Sequence, residues 1–222
     1  MREKAPAVEI LGAELAYPSR QDRPVFCSLN LRIEALKSIG ISGRSGSGKS
    51  SLALMIAGFV RPTAGSLRIF GQEVTRSRDG TVSSSRLVNI LFQDPVSSIN
   101  PARTLGEWMS LGVHAGVKAE DISASLAAVH LNECVLKRRP SEVSGGECQR
   151  LQIAKIICSN APIVILDECV SMLDVISKKI ISNVIIDNIR SKKTLIAFSH
   201  DAVFLRSIAE LQIDINSISN TK

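Results

Sequence analysis

Short apolar runs and amphipathic runs alternate along this chain. Residues 27–33 (Cys-Ser-Leu-Asn-Leu-Arg-Ile) alternate apolar with polar positions, the period of a half-buried strand. Residues 8–17 supply its partner across a turn at Gln21-Asp-Arg-Pro24. Ser38-Ile-Gly-Ile-Ser42 is short and apolar without alternation, which predicts a buried strand. Residues 51–57 are good helix formers and run to Gly58, a helix stop. A turn at 61–65, a strand at 66–70, a polar Ser/Arg-rich surface loop at 75–86 and a buried strand at 87–92 follow, closed by Gln93-Asp-Pro95. The pattern then changes: up to about residue 160 it predicts helices at 105–111, 121–131 and 148–159 and no strand. Strands return at 163–166 and 194–198, separated by an amphipathic helix over 175–190. Strand–helix alternation of this kind predicts an α/β fold with a parallel sheet covered by helices. The early strands form an antiparallel part near the N-terminus, and the helical middle is an insertion into the sheet.

Composition narrows this picture. With 222 residues, 45% hydrophobic and 22% charged, the chain can bury a sizeable core and is globular. No apolar run approaches the roughly 18 residues of a membrane span, and no apolar block follows Met1-Arg-Glu-Lys-Ala-Pro, so the chain is expected to stay in the cytosol. Five cysteines, an odd number without C-x-x-C spacing, read as free thiols in a reducing compartment. His114, His130 and His200 are scattered without metal-ligand spacing. The net charge of +6 is dispersed and aromatics make up only 4%, so ordinary surface charge with an anionic ligand is expected, and no nucleic acid.

That ligand is a nucleotide. Gly43-Arg-Ser-Gly-Ser-Gly48-Lys49-Ser50 fits G-x-x-x-x-G-K-[ST], between the strand at 38–42 and the helix that follows. Glycines let the backbone curl so that N–H groups point inward, and the new helix directs its positive end at the anion. Lys49 then reaches the β- and γ-phosphates, and the Ser50 hydroxyl helps hold Mg²⁺. The strand at 163–166 ends in Asp167-Glu168, delivered to the same sheet edge. Asp167 can support Mg²⁺ directly or through water, and Glu168 can polarise an attacking water. Ser144-Gly-Gly-Glu147 precedes a helix; it reads as an N-cap with Glu147 in the first turn, and equally as a second anion site.

The ordered set of the P-loop, Gln93, Ser144-Gly-Gly-Glu147, Asp167-Glu168, Ser171-Met-Leu-Asp174 and His200 resembles the ATP-binding subunit of an ABC transporter over nearly the whole chain. The resemblance implies a P-loop NTPase fold, RecA-like, in one domain over 1–222, with a nucleotide-binding core at 1–93 and 161–222 and a helical subdomain at 94–160. It implies ATP and Mg²⁺ as cofactors. Gly43, Arg44, Ser45, Gly46, Ser47, Gly48, Lys49, Ser50 and Ser51 would line the phosphates, and Tyr17 would stack on adenine or pack in the core. Ser50 and Asp167 would hold the metal, and Gln93, counted with the catalytic residues, would touch the metal or the water and sense the transport subunit. Glu168 and His200 would act on the water and γ-phosphate. Ser144, Gly145, Gly146 and Glu147 would contact the γ-phosphate held by an opposite subunit, and Asp174 would communicate across that dimer.

Phe92-Gln-Asp-Pro-Val-Ser-Ser-Ile-Asn-Pro-Ala-Arg-Thr-Leu-Gly-Glu107, Lys137-Arg-Arg-Pro140 and Leu166-Asp-Glu-Cys-Val-Ser-Met-Leu-Asp174 are similar to the peptide and nickel importer branch, the last of them to nickel importers. This implies a peripheral place at the cytoplasmic face of the inner membrane. The partners would be a second ATPase subunit, identical or different, two membrane permeases with a coupling helix on residues 96–108, and indirectly an extracytoplasmic solute-binding protein. A soluble ABC-type ATPase of cluster assembly, DNA maintenance or translation is the alternative. The chain departs from the family pattern at Val143, Glu147 and Cys169, and at Glu-Ala-Leu-Lys (34–37), where a glycine turn is expected. It also lacks the closing glycine turn after Leu211-Gln-Ile-Asp-Ile215.

Overall fold

In the computed structural model, residues 5–17, 24–75, 82–84, 86–92, 94, 99–111, 117–171 and 173–219 are described. The chain opens with β1 (Val8–Leu15) and β2 (Phe26–Ile33), then β3 (Ser38–Ser42), α1 (Lys49–Ile56), β4 (Ala64–Ile69), the two-residue β5 (Gln72–Glu73) and β6 (Val88–Leu91). Three helices follow, α2 (Leu105–Ser110), α3 (Ala119–Ala128) and α4 (Gly145–Cys158), with 3₁₀ turns at Glu133–Lys137 and Pro140–Glu142 between the last two. β7 (Ile163–Asp167), α5 (Val175–Ile185) with a π turn at Ile186–Arg190, β8 (Thr194–Phe198), α6 (Ala202–Ile208), β9 (Leu211–Asp214) and α7 (Ile215–Ile218) complete it.

The strands form two sheets. The antiparallel one runs β2-β1-β4-β5, and the parallel one β6-β7-β8-β3-β9. In the antiparallel sheet Glu9 lies opposite both Arg32 and Arg68 and sits 3.6 and 3.7 Å from their guanidinium nitrogens. A one-residue slip would turn this charged row toward the core, so the row helps to set the register. In the parallel sheet both faces are covered, which is why β3, β7 and β8 read as unbroken apolar runs. Successive side chains go to opposite layers: Ile163, Ile165, Ile196 and Phe198 pack with α1 and the antiparallel sheet. Val164, Leu166, Leu195 and Ala197 pack with α4, α5 and α6.

Several elements differ from the sequence reading. β5, α6, β9, α7 and the 3₁₀ turns were not anticipated; each is short, with too few residues to display a period. α4 begins at Gly145, because Ser144 caps it, so both glycines belong to its first turn. Part of the expected surface loop at 75–86 folds inward: Ser84 is buried, and a side chain at Gly58 would collide with Val82 at 2.4 Å.

The turn between β2 and β3 shows what stands in for the expected glycine. Leu36 adopts φ +61°, with its N–H donating to Thr194 Oγ1 at 2.9 Å, while its side chain is exposed. A non-glycine residue in this region costs about 1–2 kcal/mol. Leu36→Gly is therefore expected to stabilise the protein by about 1 kcal/mol, read as a higher urea midpoint at unchanged slope. An unchanged or lower midpoint would show that the turn carries no such strain.

Candidate active site

β3 lies between β8 and β9, and the register brings the C-terminal ends of β3, β7 and β8 level, with Ile41 and Asp167 both beside Phe198. The segments leaving those ends are the glycine loop, Glu168 and Ser199-His200. The loop is tightly built. Gly48 sits at φ +94° and a Cβ there would approach Val25 Cγ1 to 2.7 Å; a Cβ on Gly43 would meet Ser47 Oγ at 2.6 Å. No side chain caps the start of α1, and no acidic residue occupies its first turn, so its positive end is left for a ligand. Lys49 is buried at 7% exposure and curls over the loop, donating to the carbonyls of Gly43 (2.8 Å) and Arg44 (3.1 Å).

The ammonium of Lys49 also stands 3.7 Å from Glu168 Oε1. Glu168 is held from several sides. Its N–H donates to Phe198 O at 2.9 Å, Ser199 Oγ donates to Oε2 at 3.2 Å, and His200 N–H donates to Oε1 at 3.2 Å. The His200 ring places Nδ1 3.0 Å from Oε2. An ionised carboxylate only accepts, so Nδ1 then carries the proton, and in the neutral ring Nε2 is left as an acceptor. Glu168 itself has φ +50°, a left-handed backbone that side-chain-bearing residues rarely adopt. Such strain persists only where the surroundings over-determine it, and it clusters at functional sites. Neither this strain nor the role of Ser199 is announced by the sequence.

Asp167 is buried at 5% exposure, and its Oδ1 has no hydrogen-bond partner. Burial raises its pKa first, opposed by a hydrogen bond with Ser50; the charge of Glu168 raises it further and that of Lys49 lowers it. A divalent cation beside Ser50 would satisfy the orphaned oxygen and favour the carboxylate, so these residues fit Mg²⁺. Ser47 Oγ is likewise buried without a partner, within the loop that would surround a phosphate.

Of the remaining candidates, Tyr17 is half-buried against the Phe26 core, and its hydroxyl donates to Ser51 Oγ at 3.1 Å, tying it to α1. Ser144 and Glu147 form a reciprocal capping box: Glu147 N–H donates to Ser144 Oγ at 3.2 Å, and Ser144 N–H and Oγ both donate to Glu147 Oε2 at 2.9 Å. Gly145 faces open space. Among the described residues, neither Ser144 nor Glu147 bonds the glycine loop. Asp174 caps α5, accepting from Ile176 N (2.9 Å) and Ser177 N (3.0 Å). Gln93 lies outside the described residues, as do 95–98 of the expected coupling surface and His114. All five cysteines are free thiols, and Cys169, directly after Glu168, is fully buried with its pKa pushed up to about 12, which leaves it inert.

A parallel sheet with a glycine loop after β3 and an Asp-Glu pair after β7, one strand removed across β8, defines the P-loop NTPase fold. Residues 26–171 match the family model described as ABC transporter, and the chain belongs to that family. It is 31% identical over 163 residues to the nickel import ATP-binding protein NikE of Escherichia coli (strain K12), covering 70% of this chain and 61% of that one. It is 33% identical over 202 residues to the energy-coupling factor transporter ATP-binding protein EcfA2 of Methanospirillum hungatei, covering 88% of this chain and 50% of that one. The chain thus spans about half to three fifths of the length of these curated relatives. In structure it is similar to the ATP-binding cassette MJ0796 in a dimeric post-hydrolysis state with ADP and Pi. The TM-score is 0.81 at 24% identity, with 93% of each chain covered, which establishes the fold. No helix among the described residues is long and apolar enough to cross a membrane.

Proposed function

We propose that this chain is the ATP-hydrolysing subunit of an importer, working as a dimer on separate membrane permeases. The observation that carries the reading is the convergence of Lys49 and His200 on the two oxygens of Glu168, at 3.7 and 3.0 Å, beside the glycine loop. The loop from Gly43 to Ser51 cradles the phosphates, with Tyr17 at its flank. Lys49 exchanges its carbonyl partners for β- and γ-phosphate oxygens. Ser50 and Asp167, together with Gln93, would hold Mg²⁺, which would supply positive charge to offset that developing on the phosphates. Glu168 orients and polarises a water toward the γ-phosphorus, and His200 steadies Glu168 through Nδ1 and offers Nε2 to the site. As the oxygen–phosphorus bond to water forms, Glu168 takes the proton the water gives up, and the bond from phosphorus to the bridging oxygen breaks with its electron pair leaving on ADP.

The second subunit supplies what this one lacks, the Ser144–Glu147 turn of its α4 meeting the γ-phosphate. Val175, Ile176 and Val203, all largely exposed beside Asp174 and His200, support a partner on this face. Residues 1–93 and 161–222 act as the nucleotide core and 94–160 as a helical subdomain, to which a permease docks at the cytoplasmic face of the membrane. Similarity to NikE supports nickel or a nickel chelate as cargo, with peptide as the other member of the same branch. The test is phosphate release by the purified chain in Mg²⁺ and ATP. Release should fall to background with EDTA, and the specific activity should rise with protein concentration as dimers form. Turnover that stays strictly proportional to protein at all concentrations would overturn the two-subunit site.

A further inference from the structure

The first turn of α4 carries a fixed negative charge where the proposed reading needs it to receive an anion. Glu147 is tied to its own cap, its Oε2 accepting from Ser144 N–H and Oγ, both at 2.9 Å. Those bonds first, and nearby arginines after them, hold its carboxyl below the usual range, so it stays ionised at neutral pH. A carboxylate at N3 suits an isolated helix, but it repels a phosphate approaching the same N–H groups. The structure also holds an answer to that repulsion. Arg138 Nη1 lies 3.8 Å from Glu147 Oε1, on the side of the carboxylate that the cap does not use. The backbone of Arg138 is anchored, its carbonyl accepting from Leu105 N–H at 2.8 Å and its N–H donating to Val135 O at 3.1 Å. Arg150 adds a second cation, its Nη1 standing 3.6 Å from where a Cβ on Gly146 would be.

We infer that Arg138 is the counter-charge of Glu147, a positioning residue that keeps the start of α4 receptive to the terminal phosphate of a nucleotide bound by a second subunit. This rests on the two-subunit reading above and adds to it a residue outside the Ser-Gly-Gly-Glu motif. It makes a specific claim: the need for Arg138 is created by the charge at position 147. Removing both charges together should therefore do little harm, whereas removing the arginine alone should weaken the ATP-held dimer.

The experiment uses the Glu168→Gln chain with ATP and Mg²⁺, and sedimentation to measure its dimer dissociation constant. Adding Arg138→Gln should raise that constant about three- to tenfold, the scale of a single charge at a helix terminus. Adding Glu147→Gln as well should bring it back, since glutamine retains the capping box without the charge. Arg138→Lys should stay close to the parent, and it carries the comparison if the glutamine variant fails to fold. Binding of a fluorescent ATP analogue to the monomer should be the same in all of them, which a general structural defect would not allow. A parent-like dimer in the Arg138→Gln variant, or a double variant as weak as it, overturns the inference. Failure of the Glu168→Gln parent itself to dimerise with ATP overturns the two-subunit reading beneath it, so the two failures are distinct.

Discussion

Glu168→Gln is expected to cut steady-state ATP hydrolysis by at least about a hundredfold, the usual scale for losing a group that works on the attacking water. ATP binding should survive, because glutamine has the same shape: its oxygen can accept from the His200 N–H as Glu168 Oε1 does at 3.2 Å, and its amide NH₂ can donate to the Ser199 hydroxyl, which Glu168 Oε2 accepts from at 3.2 Å. What disappears is the negative charge facing Lys49 at 3.7 Å and the capacity to polarise a water. With chemistry blocked and binding intact, an ATP-bound dimer should accumulate, seen as a shift to twice the monomer mass. Turnover within a few fold of the parent would remove Glu168 from its proposed role. His200→Ala provides the companion measurement: it should lower turnover while Glu168 remains held by Ser199.

Lys49→Ala should fail earlier, at binding. The ammonium is nearly buried and makes bonds that only a phosphate can replace with stronger, charge-assisted ones. Such bonds are worth about 1.5–3 kcal/mol each, so ATP affinity should fall roughly 10- to 150-fold. Titration calorimetry with ATP checks this directly, and equal affinity in the variant would remove the P-loop assignment. The two variants thus separate: one binds and does not turn over, the other scarcely binds.

Much of this site was readable without coordinates because its chemistry uses continuous motifs. The glycine loop is eight consecutive residues, and Asp167-Glu168 ends a strand whose apolar run is unmistakable. The parallel order followed from alternation, since buried strands and covering helices have distinct periods. What the sequence concealed is how distant residues meet. Ser199 reads as an ordinary strand-end serine, yet it bonds Glu168 across 31 positions. The left-handed backbone at Glu168 and at Leu36 has no compositional signature, because neither is glycine. α6 had an available signal, Asp201 ahead of Ala-Val-Phe-Leu; in the structure Asp201 does cap it, accepting from Val203 and Phe204 N–H. β9 had none. It is a four-residue edge strand, largely exposed, defined only by its pairing with β3.

The resting posture of Lys49 has a bearing on selectivity. Its positive head donates to two carbonyls of the very loop a phosphate would enter, so those bonds compete with the ligand for the ammonium. A ligand wins it only by offering something better than two carbonyls. Adenosine or its monophosphate has no oxygen at the far end of the loop to make the trade. A preference for longer phosphate chains is therefore expected from this competition, independently of any contact with the base.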